Sequence, residues 1–177
     1  MSLKPITQNS AGFTLIEILV AALVLAIGIL GMATMMLSSL KSDQSAFYRS
    51  LASSYAYDMA DRIRTNASWA RLNSGYDDIS TENTIPNDPG CMDDADGCDG
   101  AALAALDIRE WANNFTNVNG IDASQYKASL PNAVGIVTRG ANDLFTITIQ
   151  WSEVDWDAND PSQKADSTKS LSLNVVL

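Results

Sequence analysis

From Ile18 to Leu40 the chain runs for 23 residues without a charge, ILVAALVLAIGILGMATMMLSSL. About 20 apolar residues in a helix cross the ~30 Å hydrocarbon layer of a bilayer. The core helix of a soluble protein shows polar residues along one side, and through Leu37 this run has no such side, Thr34 being its one polar residue. The stretch therefore predicts a membrane span. A cleavable secretory signal has a shorter apolar region, ~7–15 residues, with small residues after it. Here the order is reversed, because Asn9-Ser10-Ala11-Gly12 come before the run. Lys4 is the one positive charge ahead of it, which puts residues 1–12 on the cytoplasmic side and the rest beyond the membrane. Lys41, on the far side, works against that assignment.

The rest of the composition narrows the chemistry. The 177 residues allow one domain plus an appendage. Eleven Lys and Arg stand against 21 Asp and Glu, a net charge of −10. Nucleic-acid binding is not expected, since it draws on Lys and Arg at phosphates. The absence of histidine removes Ser-His-Asp and Cys-His catalysis and His-ligated zinc. Two cysteines cannot build a Cys-rich zinc site or an iron–sulfur cluster. No enzyme, cofactor or metal ligand set is expected.

Glu17 stands one position before the apolar run. It is either a functional ionisable group or an interfacial residue reaching for the headgroups. Gly12-Phe13-Thr14-Leu15-Ile16-Glu17, continued by Ile18-Leu19-Val20-Ala21, resembles the class III signal of type IV prepilins and pseudopilins. The resemblance implies that a prepilin peptidase cuts between Gly12 and Phe13, removes residues 1–12, and N-methylates Phe13. The apolar helix then stays as membrane anchor and later as filament core. A buried carboxylate needs a partner. The new amino group on Phe13 of a neighbouring subunit would supply one to Glu17, fixing the register between greasy helices. Position 34, where major pilins carry a proline, is Thr.

Tyr48, Leu51, Ala52, Tyr55, Met59 and Ile63 recur at spacings of three and four, and residues 32–74 contain neither Pro nor Gly. One helix is expected from about Thr14 to Asn66, amphipathic in its second half. Asp58–Arg62 and Asp61–Arg64 are read as ion pairs on its exposed side. The segment Ala52 to Asn66 resembles the end of the first helix in PilV-type minor pilins, the type IV pilus modification proteins. The order that follows agrees: a Cys pair, Leu106-Asp107-Ile108-Arg109-Glu110-Trp111, Leu130-Pro131, and Phe145 to Trp151.

The expected fold is α+β and pilin-like: a leader at 1–12, a long helix at 13–67 with its span at about 18–40, and a head at 68–177. Residues 72–108 hold nine acidic and no basic side chains, and 72–100 read as an acidic loop. A short helix is expected over Ala101–Phe115. Strands are expected at Val134–Thr138, Leu144–Trp151 and Leu171–Leu177, with an edge strand near Tyr126–Leu130. The antiparallel sheet would cover Tyr48, Tyr55, Met59 and Ile63. Asp93, Asp94, Asp96 and Asp99 invite calcium, yet an EF-hand frame from Asp94 puts Cys98 and Asp99 at the wrong positions and Ala105 where Glu belongs. A solvated loop is the reading taken. Trp151 is read as core and Trp156 as a partner contact. With the head in an oxidising compartment, as the prepilin signal implies, Cys91 and Cys98, with six residues between them, are expected to form a disulfide.

The resemblance implies a minor pilin of a Gram-negative cell. It would be a single-pass inner-membrane protein with a periplasmic head, later carried into the surface pilus. Its partners would be major and other minor pilins, prepilin peptidase, the inner-membrane assembly platform and the bilayer. The expected role is in a priming or tip complex, with adhesion as a further contribution. A minor pseudopilin of type II secretion is the alternative within the class. A membrane-tethered adhesin using the acidic loops 77–99 and 152–167 is the alternative outside it.

Overall fold

The computed structural model describes residues 12–156 and 164–177. The chain forms two compact units, Met1–Gln44 and Ser45–Leu177. Helix α1, Leu15–Thr65, contributes residues to both. In the first unit every large apolar side chain from Phe13 to Leu40 is 52–82% exposed. Such a helix, apolar all round and left exposed among the described residues, suits a lipid solvent and not water.

In the second unit α1 is amphipathic. Ala52, Ala56, Met59, Ala60 and Ile63 are fully buried, one turn after another, and Tyr48, Leu51 and Tyr55 are partly covered. These small and apolar residues pack onto a four-stranded antiparallel sheet of order β1-β2-β3-β4: Ile79–Ser80, Val134–Arg139, Leu144–Trp156 and Lys164–Val176. The sheet contributes Val137, Phe145, Ile147, Ile149, Trp151 and Val175 to the core, alternate residues of each strand. Truncating a buried side chain such as Ile63 to Ala costs about 2–5 kcal/mol in such a setting. The architecture is the α+β, pilin-like one expected.

Two short helices complete the head, α2 (Ala67–Leu72) and α3 (Gly100–Ala112). Arg139 at the end of β2 caps α2, donating to the carbonyls of Ala70, Arg71 and Asn73 at 3.0, 2.7 and 3.2 Å. Asp99 caps the start of α3, accepting from the Ala102 N–H at 2.8 Å. Trp111 of α3 lies against β2 so closely that a Cβ on Gly135 would overlap its ring, which explains a glycine in mid-strand.

Three expectations need correction. Tyr126–Leu130 is not a strand: the chain turns at Asp122–Tyr126 and Tyr126 donates to the Asn113 carbonyl at 3.0 Å, so this segment closes the end of α3. The edge strand is instead Ile79–Ser80, inside the acidic loop, held as Thr81 exchanges bonds with Gly135 at 3.0 Å each way. Of the loop expected at 152–167, residues 152–156 and 164–167 are strand instead, because β3 runs on to Trp156 and β4 starts at Lys164, paired residue for residue. Residues 157–163 lie outside the described residues.

Candidate functional site

The N-terminal segment presents its motif in the open. Gly12, Phe13 and Thr14 precede the helix, and Thr14 closes its first turn by accepting from the N–H groups of Glu17 and Ile18 at 3.1 and 3.3 Å. Glu17 therefore sits in the first turn, where a carboxylate is favoured by the helix dipole. Phe13 and Glu17 border one groove along the helix together with Ile18, Ala21, Ala22 and Leu25. Among the described residues Glu17 has no ion-pair partner. Among the described residues, a Cβ on Gly12 would meet nothing within 4 Å, so none of them requires a glycine there.

Residues 7–33 match the prokaryotic N-terminal methylation motif. That motif supports reading the chain as a type IV pilin-like or pseudopilin subunit. Proteins carrying it are structural subunits and interact with prepilin peptidase and with other pilins. The motif together with the one apolar helix of membrane-spanning length among the described residues fits a single-pass, membrane-anchored pilin-like chain. No curated protein and no solved structure matches the chain at a significant level.

The pilin-like head is joined to α1 by a polar network that the sequence pattern did not disclose. Arg62 donates to Asp58 at 3.1 Å, to Asp107 at 3.2 Å and to Glu110 at 2.8 Å. Asp107, on the inner side of α3, accepts from the Tyr76 hydroxyl at 2.5 Å on its other oxygen. Asn66 donates to Tyr76 at 3.2 Å and to the Gly100 carbonyl at 2.7 Å. Trp111 donates from its ring to the Tyr55 carbonyl at 2.9 Å. The Asp58–Arg62 pair is present, but α3 lies over that side of α1 and leaves the Arg62 side chain only 25% exposed. It is a joint between helices and not a solvated surface pair. Asp61–Arg64, at 2.9 Å, is the exposed pair expected.

Burial governs the ionisation here. It pushes the Tyr76 phenol far above its ordinary value, and donation to Asp107 adds to the rise. Burial also raises the Asp107 carboxyl, against the lowering by the Tyr76 hydrogen bond and the Arg62 charge. For Arg62 burial opposes the charge, yet the hydrogen bonds to Glu110 and Asp58 outweigh it and hold the guanidinium charged. The one legible sign was Asp107 itself, a carboxylate among the apolar positions Leu103, Leu106 and Trp111 of a helix.

Cys91 and Cys98 are joined in a disulfide with Cα atoms 4.9 Å apart. Cys91 is buried, and Cys98 directly precedes the Asp99 cap of α3. The acidic loop is tied down by its own aspartates too, since Asp88 accepts from the Gly90 N–H at 2.8 Å. Trp151 is core, at 1% exposure. The side chain of Trp156 lies outside the described residues.

Proposed function

We propose that the chain is a PilV-like minor pilin, cleaved after Gly12, N-methylated on Phe13, and built into a type IV pilus through its apolar helix. The observation that carries this reading is the match of residues 7–33 to the methylation motif, at the head of a helix that is apolar on every side. The open surroundings of Gly12 support the cleavage site. Its lack of a side chain serves no contact among the described residues, as expected where the requirement belongs to a peptidase. The free carboxylate of Glu17 beside Phe13 supports a register role, because an incoming subunit's amino group would find it unpaired. Leader 1–12, helix 13–67 and head 68–177 are the segments of this reading, with a priming or tip-complex role for the whole and an inner-membrane location before assembly.

The test is to delete the gene and count surface pili in a strain whose retraction is disabled. Loss of pili with retraction off supports a priming role. Normal piliation there overturns it. Loss of secreted substrates with pili intact would instead identify a pseudopilin.

A further inference from the structure

The sheet has two unequal edges. The β1 edge is two residues long, and the β4 edge is 13. The pairing of β3 with β4 is one to one from Leu144↔Val176 to Trp156↔Lys164, with no bulge. The Leu177 N–H donates to the Asp143 carbonyl at 3.4 Å, which marks Leu144↔Val176 as a pair without mutual hydrogen bonds. By alternation Lys169, Leu171, Leu173 and Val175 bond to β3, while the N–H and C=O groups of Thr168, Ser170, Ser172 and Asn174 point away from the sheet. Among the described residues no other strand pairs with them.

Natural edges are blunted by shortness, charge, proline or bulges. From Ser170 to Val176 the strand reads SLSLNVV and has none of these. Leu171 and Leu173, on the core side of the edge, are only half-buried, so an added strand would finish covering them. In a chain of net charge −10, no Asp or Glu follows Asp166, which leaves this edge free of the repulsion that guards the rest of the surface.

We propose that the β4 edge, Thr168–Val176, docks an extended strand of a neighbouring, different subunit. That strand would alternate apolar with uncharged polar residues, its apolar side chains continuing the Leu171–Leu173–Val175 face. A second copy of this chain fits less well. Its β1 is too short to cover β4. Antiparallel β4 against β4 needs a two-fold axis through the sheet, which would point residues 45–65 of α1 in opposite directions on two chains anchored in one bilayer. Placing the strand on a neighbouring subunit rests on the proposed function, whereas the capacity to accept a strand does not.

The test uses the full chain in detergent micelles and a blocked nine-residue peptide alternating Val or Leu with Thr, read by backbone amide exchange. The amides of Ser170, Ser172 and Asn174 should exchange fast in the free chain and slow at least tenfold with the peptide. Those of Leu171, Leu173 and Val175 should stay protected throughout, and a peptide N-methylated at alternate nitrogens should do nothing. Edge amides that are already slow in the dilute chain, or that ignore the peptide, overturn the proposal. Slowing on raising the chain's own concentration identifies a second copy and overturns it too. Ser172→Pro removes the outward N–H and the hydroxyl contact with Thr148 but no backbone bond to β3, so Leu173 should stay protected while the peptide effect is lost. Ser172→Ala, which loses the same hydroxyl, should keep the peptide effect. If Leu173 protection falls in Ser172→Pro, Ser170→Pro replaces it. In cells Ser172→Pro should reduce the chain in sheared filaments at least fivefold relative to Ser172→Ala. Equal incorporation overturns the docking site and leaves the pilin reading intact. Absence of the unaltered chain from filaments overturns that reading, and the peptide result stands apart from it.

Discussion

Asp107 and Glu17 are both carboxylates in apolar company, and their surroundings set them apart. Asp107 has Arg62 and Tyr76 at hydrogen-bond distance, so its charge is compensated within the chain. Its pKa is nevertheless raised, because burial is the larger effect. The folded state then holds the proton to a higher pH than the unfolded chain, whose carboxyl titrates at about 3.9. Stability from this group is full below that pH and is lost as pH rises through the folded value. Asp107→Asn should thus cost about 1–2 kcal/mol in the acid range, with the deficit narrowing toward pH 7. Denaturant unfolding followed by tryptophan fluorescence at several pH values checks it, and a deficit that widens with pH would show that the ion pair outweighs burial. Glu17 has no such compensation. Glu17→Val should be cleaved normally yet stay out of filaments, whereas Gly12→Ser should leave a membrane-bound precursor about twelve residues longer. Immunoblots of membranes and sheared pili separate the two, and normal incorporation of Glu17→Val would remove the register role.

At the scale of elements, legibility followed burial. The core-facing alternation of Phe145, Ile147, Ile149 and Trp151, and of Leu171, Leu173 and Val175, is written in apolar residues, so those strands could be read to within a few positions. The first half of β4, Lys164 to Ser170, carries no such alternation and is a strand only because β3 pairs with it. Strand β1 is two residues within an acidic stretch and owes its place to Thr81 and Gly135, a contact 54 residues away in sequence. Helix α2 escaped notice because the single residue Asn66 separates it from α1. The disulfide ring belongs to this scale as well. It joins the buried Cys91 to the residue before the α3 cap, so it fixes where that helix begins. Closing so small a ring contributes roughly 2–3 kcal/mol in the loop-entropy picture. Cys91→Ser should lower the stability of the head by that amount while leaving it folded, with faster amide exchange confined to residues 91–103. Exchange that quickens across β2 and β3 instead would place the ring in the core.

The whole molecule reads as two solvents' worth of sequence on one helix. No described residue before Ala52 is buried, and the core among the described residues runs from Ala52 to Val175, inside the second unit. The methylation motif lies wholly in the first unit, which explains why the membrane segment was recognisable from a short pattern while the head had to be built from its packing. The polar joint of Arg62, Asn66, Tyr76, Asp107 and Glu110 also falls inside the second unit. A chain beginning at Ser45 should therefore fold without detergent. It would keep every buried side chain of the described residues, the disulfide and the polar joint, and lose the apolar run that water disfavours. Exclusion chromatography should show a soluble species, and near-ultraviolet circular dichroism should show the fixed environments of Trp111 and Trp151. Heating should give a single cooperative transition, as for other domains of this size. A soluble product without a near-ultraviolet signal would mean that the first unit contributes packing to the head. Removing the next 20 residues as well should abolish folding, because Ala52, Ala56, Met59, Ala60 and Ile63 leave with them and the sheet loses the face that covers it.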